Sequence, residues 1–417
     1  MNKWTYTTLG KISEIITGPF GSQLHQSDYV EQGIPVVMPQ DIDNRKVNYA
    51  SINYVSNEDA IRLERYKTII NDILYARRGD VEKHAFIKEK DNGVLCGTGC
   101  LRVRITTSEV EPEFISFFLN REETRKWLVT HAVGTNMPNL NTDILSDVPI
   151  AYPLLEEQRR IVQVLNSLDE KIALNSAVND NLEQQAKLIY DYWFTQFDFP
   201  DENGKPYCSS GGKMVWNEQL KRNIPENWKV AQLKDIFNVS GKPISRDDCQ
   251  TDAYYTPIDV IPKRTITFAG GLSAAEANSS LQVYEENNIL LGAMRVYFHR
   301  VCISAQSGIT RTTTLVLKPK VDEYLGYAYQ VLNDDNAILY ATQHSSGTQQ
   351  PYIKWNDVLE NYRFAMPSNP KLLYEYSKIS EPLITKAKNC ARETEQLRKL
   401  RDWLLPMLMN GQATIND

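Results

Sequence analysis

A long heptad pattern in the middle of the chain constrains the fold most. Apolar or amide side chains recur there at alternating steps of four and three: Ile161, Leu165, Leu168, Ile172, Asn175, Asn179, Leu182, Ala186, Ile189 and Trp193. A seam held for about four and a half heptads is typical of a long helix in a coiled coil. A helix over 157–196 would be roughly 60 Å long, which is too long to be covered inside one compact domain. It therefore needs a partner helix.

A second, weaker seam near the C-terminus supplies that partner. Its positions are Leu383, Ala387, Cys390, Thr394, Leu397, Leu404 and Leu408, with Leu400 standing in for the out-of-place Arg401. When the two seams are aligned, Cys390 and Thr394 fall at the positions of Asn175 and Asn179. A polar residue on a seam costs stability but fixes the register, because a slipped partner would leave it unpaired. Two matching helices indicate a duplicated chain.

The rest of the chain repeats as well. Residues 71–87 match residues 287–303 without a gap, and both segments carry an Ile-Leu pair. Further matches join Trp4 to Trp228, Leu9 to Leu233, Gly134 to Gly347, Pro138 to Pro351 and Pro153 to Pro367. The offset stays between 213 and 224 residues, as a duplication with small changes in loop length would produce.

The sequence therefore predicts an order of domain, helix, domain, helix. The expected segments are a globular domain at 1–152, a central helix at 153–199, a connector at 200–227, a second globular domain at 228–367 and a C-terminal helix at 368–417. Short strands and turns, with a helix expected over 112–128, predict a mixed α/β (α+β) fold for the globular domains. We expect the two long helices to pair antiparallel and to separate the two domains, with a pseudo-twofold relation between the halves.

Composition and termini indicate a cytoplasmic protein. No apolar run approaches the ~18 residues of a membrane span, so no membrane contact is expected. The first six residues, Met-Asn-Lys-Trp-Thr-Tyr, lack the apolar core of a signal peptide. The six cysteines are scattered, and the single close pair, Cys96 and Cys100, suits one face of a strand better than a zinc site.

No motif predicts catalysis or metal binding by this chain. Neither Gly212-Lys213 nor Gly241-Lys242 is followed by the Ser or Thr of a phosphate-binding loop. There is no Asn-Pro-Pro-aromatic motif of an amino-methyltransferase, and Pro200-Asp201 has no partner acid and lysine for a nuclease site. The five histidines lack the spacing of metal ligands. We therefore predict a non-catalytic chain.

Basic residues gather in two places although the net charge is −6. Between Arg295 and Lys320 there are five basic residues and no acid, and residues 60–104 hold ten basic and six acidic residues. Each repeat also has an amide-rich loop before its long helix, at 136–141 and 343–350. Arg and Lys can bind guanine edges and phosphates, and Asn and Gln can bind adenine. The alternative is that these side chains only form a solvated surface.

These patterns define two sets of candidate residues. The predicted DNA contacts are Arg77, Arg78, Lys83, His84, Arg102, Arg104, Asn136, Asn139, Arg295, His299, Arg300, Arg311, Gln349 and Gln350. The predicted core of the helix pair is Ile161, Leu165, Leu168, Ile172, Asn175, Asn179, Leu182, Ile189, Trp193, Leu383, Cys390, Leu397, Leu404 and Leu408. Tyr254, Tyr255, Tyr297 and Phe298 are expected to pack in the core or in hairpins rather than to stack on bases.

Several segments resemble the specificity subunit of type I restriction-modification systems. In the first half they are Gly18-Pro-Phe-Gly-Ser22, Gly33-Ile-Pro-Val36, Asp72-Ile-Leu-Tyr-Ala-Arg-Arg-Gly79, Gly134-Thr-Asn-Met-Pro-Asn-Leu140, Leu182-Glu-Gln-Gln-Ala186 and Trp193-Phe194. In the second half they are Gly211-Gly-Lys-Met-Val215, Arg295-Val-Tyr-Phe-His299 and Leu397-Arg-Lys-Leu-Arg-Asp402. Each segment is weak alone, but their order over almost the whole chain is a strong signal.

The resemblance implies two target recognition domains, each reading one half of an interrupted double-stranded DNA site. It also implies helices that set the gap and dock two methyltransferase subunits. Those subunits bind S-adenosylmethionine, and restriction subunits cleave DNA with ATP and Mg²⁺, so no cofactor is expected in this chain. Glu393 and Arg401 lie near core positions of the second seam, which favours either contact with partner subunits on that side or looser pairing.

Two other classes of function remain open on the sequence. One is an enzyme that carries a methyltransferase or nuclease site on an unrecognised motif. The other is a coiled-coil scaffold that binds only proteins. Turnover by the purified chain would favour the first, and salt-dependent DNA binding of the assembled complex would exclude the second.

Overall fold

The structure is a computed structural model that describes residues 4–134, 138–277 and 280–415. It contains both helices and sheets, which confirms the predicted mixed fold. Its contacts define two compact units. The first unit consists of Met1–Asp169 with Leu400–Asp417, and the second of Glu170–Lys399. Each long helix therefore contributes residues to both units.

The first unit is built around a four-stranded antiparallel sheet in the order β2-β11-β8-β9. Its strands are β1 Thr5–Thr8, β2 Ser13–Thr17, β3 Tyr29–Val30, β4 Ile34–Val37, β5 Ile42–Asp43, β6 Lys46–Val47, β7 Asn53–Val55, β8 Ile73–Ala76, β9 His84–Phe86, β10 Leu95–Cys96, β11 Cys100–Ile105 and β12 Pro149–Tyr152. Its shorter helices are α1 Leu9–Ile12, α2 Asn57–Arg62, α3 Pro112–Leu119, α4 Glu122–His131 and α5 Thr142–Ser146. All four residues of β8 are buried, as its Ile-Leu-Tyr-Ala sequence dictates for a strand covered on both faces.

The helix predicted over 112–128 is two helices, so that prediction is wrong at its middle. The chain breaks at Arg121, whose backbone is extended (φ −63°, ψ 147°). Helix α3 is buried on nearly every side, whereas α4 buries only Thr124 and Leu128. One straight helix cannot change from fully buried to amphipathic without changing direction, and the break allows this change.

Helix α6 spans Leu155–Tyr190 and continues as one π turn, Asp191–Thr195. Its first part belongs to the first unit, where Ile161 and Leu165 join the same core as Leu405 and Leu408 from the C-terminal segment. Burying these apolar side chains is the main gain from the pairing, at about 1.5–3 kcal/mol for each fully buried one.

A buried arginine between β5 and β6 joins this part of α6 to α3. Arg45 Nη1 lies 3.2 Å from Asp169 Oδ2, and its Nε donates to Ser116 Oγ at 2.9 Å. Its guanidinium carbon lies 3.4 Å from the centre of the Phe117 ring. Desolvation lowers the pKa of Arg45 to about 10, so the group stays charged at neutral pH and needs these partners.

The second unit holds two five-stranded sheets, β16-β25-β22-β23-β19 and β17-β21-β24-β18-β20. Its strands are β13 Met214–Asn217, β14 Arg222–Pro225, β15 Trp228–Gln232, β16 Phe237–Val239, β17 Lys242–Ile244, β18 Tyr254–Tyr255, β19 Thr267–Phe268, β20 Leu272–Ser273, β21 Leu281–Tyr284, β22 Ile289–Gly292, β23 Val301–Ser304, β24 Gly308–Arg311, β25 Thr314–Pro319 and β26 Arg363–Pro367. Its shorter helices are α7 Leu233–Ile236, α8 Leu325–Asn333 and α9 Asp335–Gln343. Strands β15 and β26 pair antiparallel at the ends of the second repeat, as β1 and β12 do at the ends of the first.

Helix α10 spans Lys371–Met409 and runs antiparallel to α6, as predicted. Within the second unit, the rings of Tyr190 and Tyr376 lie 6.4 Å apart, while Asn175 Nδ2 donates to Glu393 Oε2 at 2.8 Å. The later residue of α6 thus faces the earlier residue of α10, and the earlier residue of α6 faces the later one, as in an antiparallel pair. The hydrogen bond also gives Glu393, which looked out of place in the seam, a partner on the facing helix.

The predicted helix-pair core residues all lie on buried or half-buried faces. Buried are Ile161, Leu165, Asn175, Trp193, Cys390 and Leu408, and half-buried are Leu168, Ile172, Asn179, Leu182, Ile189, Leu383, Leu397 and Leu404. The prediction that Leu400 takes the seam position in place of Arg401 is wrong, because Leu400 is 42% exposed. Arg401 occupies the seam itself, and its Nη1 donates to Asp169 Oδ1 at 3.0 Å.

The predicted connector contains a hairpin, β13–β14. Phe199 stacks on Tyr207 and on Trp228, with ring centres 4.8 and 5.5 Å apart. Aromatic rings therefore join the connector to the rest of the second unit. No helix in the described part of the chain is both long and apolar enough to cross a membrane.

Candidate nucleic-acid interface

The duplication reappears as the same backbone construction in both units. Asn71 and Asn287, which the sequence aligns, both have positive φ, at 76° and 67°. Gly134 and Gly347 both have φ of 101°. Left-handed backbone is uncommon for residues other than glycine, so its recurrence at an aligned asparagine is specific evidence for the repeat.

In the first repeat, the turn of the β8–β9 hairpin is held by the loop that precedes α5. Leu140 N donates to Arg77 O at 2.9 Å, and Gly79 N donates to Pro138 O at 3.2 Å. Arg78 and Asn139 form an isolated β-bridge between the two segments. The bridge places one basic and one amide side chain of the predicted interface on adjacent backbone.

The second repeat forms the same junction at the β22–β23 hairpin. Ile353 N donates to Ala293 O at 3.0 Å, and Arg295 N donates to Pro351 O at 2.7 Å. Met294 and Tyr352 form the bridge that matches Arg78 and Asn139. The hairpin turn and the amide-rich loop therefore lie side by side in each repeat, so their side chains can form one surface.

A stacked aromatic–histidine pair precedes the loop in each repeat. The rings of Trp127 and His131 stack with centres 3.9 Å apart, and those of Tyr340 and His344 do the same at 3.9 Å. Each histidine Nδ1 lies 2.8 Å from the carbonyl oxygen of its stacking partner, to which it donates. Both rings are exposed, so Nε2 is presented to solvent beside the loop.

Two of the DNA contacts predicted in the first repeat, His84 and Arg102, are wrong because both side chains are buried, whereas Arg104 is half-buried and paired within the fold. His84 is 2% exposed, its Nε2 lies 3.0 Å from Ser116 Oγ, and burial lowers its pKa to about 3. Arg102 is buried, and its Nη2 donates to Glu14 Oε2 at 3.0 Å. Arg104 makes two 2.7 Å hydrogen bonds to the buried carboxylate of Asp72.

Other predicted contacts of the first repeat lie at or near the surface. Arg78 is exposed, while Arg77, Lys83 and Asn139 are half-buried. Arg77 Nε donates to Leu140 O at 3.2 Å, and Lys83 Nζ pairs with an aspartate three residues away at 2.8 Å. Asn136 lies outside the described residues.

In the second repeat the predicted contact His299 is wrong for the same reason, whereas Arg300 and Arg311 are half-buried and hydrogen-bonded within the fold. His299 is buried, desolvation lowers its pKa, and its Nε2 lies 2.8 Å from Asn333 Oδ1. Arg300 donates to the carbonyl oxygens of Asp259 and Ile261 and so holds a neighbouring loop. Arg311 is half-buried, and its Nε donates to Tyr255 Oη at 2.8 Å.

The exposed part of the second junction carries Arg295, Gln349 and Gln350. Arg295 Nη2 lies 3.3 Å from Gln349 O, which aims the guanidinium along the loop. Tyr297 and Phe298 are 48% and 38% exposed and so do not pack in the core. Their rings pack against each other in the hairpin turn, which is the other arrangement expected for them.

Two basic residues beside this turn were missed by the sequence reasoning. Lys263 and Arg264 are exposed, and Arg264 N donates to His299 O at 3.1 Å. They precede β19 and lie 31 or more residues before Arg295 in the chain. No local pattern links them to the hairpin, whereas the Trp127–His131 and Tyr340–His344 pairs were visible as a repeat with the same offset as the glycines.

Each long helix carries a charged or ionisable side chain that contacts the rest of the second unit. Glu183 of α6 accepts hydrogen bonds from Ile266 N at 3.1 Å and Tyr329 Oη at 3.4 Å. Burial raises the pKa of Glu183 to about 7. On α10, Lys388 Nζ donates to Glu286 Oε1 at 2.6 Å and to Asn287 Oδ1 at 2.7 Å. Both helices of the pair thus make polar contacts with the same unit.

Within the described residues, no group of three or more His, Cys, Asp or Glu side chains is arranged to hold a metal ion. The cysteines there are free, and burial raises the pKa of the Cys96 and Cys302 thiols to about 12. Thiols with raised pKa values are poor nucleophiles at neutral pH, which favours a structural role for both.

Comparison with known proteins finds similar chains over nearly the full length. Residues 1–184 match the family described as type I restriction modification DNA specificity domain. The chain is 24% identical to the type I restriction enzyme MjaIX specificity subunit of Methanocaldococcus jannaschii, over 99% of this chain and 94% of that protein. It is 20% identical to the HindI specificity subunit of Haemophilus influenzae, over 99% and 100%. The crystal structure of a type I S subunit from M. genitalium has a similar fold, with a TM-score of 0.60 at 17% identity, covering 98% and 96%.

Proposed function

We propose that this chain, whose first 184 residues match the type I restriction modification DNA specificity domain, is the DNA-recognition subunit of a type I complex. Similarity to type I specificity subunits over nearly the whole chain confirms the resemblance that the sequence motifs indicate. The chain recognises a DNA sequence as part of that assembly.

One observation carries the finer proposal of an interrupted, two-part site. The junction of hairpin turn and amide loop is built twice in one chain, with matching hydrogen bonds at Leu140 and Ile353. Its two copies present different side chains, Arg78 in the first and Arg295 with Gln349 and Gln350 in the second. Two copies of one scaffold with different surface residues suit the reading of two different half-sites.

The methyl transfer and the cleavage belong, in this proposal, to partner subunits. Two methyltransferase subunits carry S-adenosylmethionine, and restriction subunits use ATP and Mg²⁺. The support is the lack of a phosphate-binding loop or methyltransferase motif in the sequence. The histidines and acids that could hold metal are instead committed to local hydrogen bonds, as for His84 and Asp72.

A domain exchange tests the two-part reading. Residues 229–365 are replaced by the equivalent segment of a relative, and methylated sites are mapped in cells that also make the methyltransferase subunit. We expect one half of the site to change and the other to stay, because the first repeat is untouched. A change in both halves would show that the repeats do not read DNA independently. A wild-type chain that directs no sequence-specific methylation would refute the proposed function itself.

A further inference from the structure

The turn between β22 and β23 exposes two adjacent aromatic rings. Val296–Phe298 form a single 3₁₀ turn in which Val296 is buried and the next two side chains, Tyr297 and Phe298, project outward. The two ring centres lie 4.9 Å apart with an angle of 56° between the planes. Single exposed apolar residues are common on proteins, but an adjacent aromatic pair on a hairpin tip is a contact surface.

Backbone strain holds this turn in place. Arg295 and His299, which flank it, have φ of 50° and 55°, and Arg264 beside it has φ of 47°. Each left-handed residue other than glycine costs about 1 kcal/mol, and such strain concentrates at functional sites. In the first repeat the position of Arg295 is Gly79, which adopts φ of 78° without that cost. The second repeat therefore keeps a side chain where glycine would be more stable.

Buried contacts on both sides fix the strained backbone. Arg264 N donates to His299 O at 3.1 Å, and the His299 ring is held by Asn333 at 2.8 Å. Arg295 N donates to Pro351 O at 2.7 Å. The two rings consequently stand on a rigid base, which reduces the entropy lost when they meet a partner.

The charges around the rings favour a nucleic acid as that partner. Lys263 Nζ lies 4.8 Å from the centre of the Phe298 ring, and Arg264 and Arg295 are exposed beside the turn. An acidic residue, Asp335, lies near these cations. It pairs with Arg264 at 2.9 Å and lies 3.5 Å from His299. Apolar rings can contact thymine methyl groups in the major groove of duplex DNA, while neighbouring cations bind phosphates. In the first repeat the corresponding turn carries Asp80 and Glu82 instead.

We propose that Tyr297 and Phe298 contact bases of the half-site read by the second repeat, and that Lys263 and Arg295 hold the adjoining phosphates. The proposal rests on the proposed function and assigns it residues. Ring-to-base packing is apolar and independent of salt, whereas each phosphate contact releases about one counterion. In duplex DNA the faces of the bases are covered by their neighbours, so the rings contact base edges, where an apolar contact with the thymine methyl group distinguishes one base pair from another. The two cations supply affinity for any sequence.

The test compares four variants assembled with the methyltransferase subunit: Tyr297→Ala, Phe298→Ala, Lys263→Ala and, as a matched control, the exposed Trp216→Ala. Affinity is measured at several salt concentrations on DNA with an intact or a scrambled second half-site. We expect each ring variant to bind the intact site roughly ten-fold more weakly at an unchanged salt slope. On the scrambled half-site it should bind as the wild type does. Lys263→Ala should lower the salt slope by about one on both DNAs, and the control should bind as the wild type.

Equal affinity of the ring variants and the wild type for the intact site would overturn the inference while leaving the proposed function standing. Failure of the wild-type complex to prefer the intact site would overturn the function instead. A photo-crosslinking phenylalanine analogue at position 298 gives an independent readout that does not depend on a truncated side chain. A crosslink to the second half-site supports the inference, and a crosslink to the methyltransferase subunit or none to DNA refutes it.

Discussion

Glu183 should make the stability of this protein depend on pH in a direction opposite to that of an ordinary surface carboxylate. Its pKa is raised to about 7 by burial against the second recognition sheet, from a usual value of 4.5. The folded chain therefore prefers the neutral acid. The contribution of that acid to stability is fully present below pH ~4.5 and is lost as pH rises through 7.

The size of the effect follows from the shift. One pKa unit corresponds to ~1.4 kcal/mol, so a shift from 4.5 to about 7 would correspond to about 3 kcal/mol for a fully buried group. Glu183 is only half-buried, and solvent screening reduces the expected effect to about 1–2 kcal/mol. Glu183→Gln keeps an oxygen that can accept from Ile266 N but cannot ionise. We expect the variant to match the wild type near pH 5 and to be more stable by about 1–2 kcal/mol at pH 8.

Urea unfolding of the full-length chain between pH 5 and pH 8 measures this difference directly. The matched control is Glu170→Gln, an exposed glutamate on the same helix, whose difference from the wild type should not change over this range. A Glu183→Gln variant that is less stable than the wild type at pH 8 would refute the reasoning. So would a difference of equal size at both pH values.

Other outcomes follow from the same contacts. Arg45→Ala removes one of the two arginines that bind Asp169 and should lower the free energy of unfolding by about 1–3 kcal/mol, measured by urea titration, because Arg401 still pairs with that carboxylate. Arg45→Lys should recover only part of this loss, since an ammonium cannot both pair and stack on the ring beneath it. In the assembled complex, Arg78→Ala should weaken DNA binding by ~1–3 kcal/mol on one sequence if this arginine contacts a base, whereas Arg295→Ala should weaken binding to all sequences about equally and lower the salt slope by about one. Unchanged affinity of both variants across the salt series would make these two arginines ordinary surface residues.

The long helices and the duplication could be predicted because their signals are local or periodic. A seam with a 3.5-residue period identifies its own buried face, and the aligned Asn71 and Asn287 share a backbone conformation as well as a type. The break at Arg121 was missed because both flanking segments have acceptable helical sequence. What decides it is the tertiary core around α3, which no window of sequence contains.

The individual DNA contacts were harder to predict because charge does not reveal exposure. Arg102 alternates with apolar residues as an outward-facing strand residue would, yet it is buried against Glu14, which lies 88 residues earlier. Arg401 looked like an error in the seam and is instead paired with Asp169. In both cases the residue that pairs with the arginine is distant in sequence, so the local sequence does not predict that the arginine is paired inside the fold.

The composition of the first unit has a consequence for the order of events on the ribosome. Its core contains Leu405 and Leu408 as well as Leu9 and Ile12, so it is complete only after Leu408 has been synthesised. At ~5–20 residues per second, the roughly 230 residues between Asp169 and Leu400 take on the order of ten to fifty seconds to synthesise. During that interval the second unit can fold while part of the first waits exposed. A nascent chain that stops within this interval lacks Leu405 and Leu408, so the core of the first unit stays incomplete and its apolar side chains stay exposed.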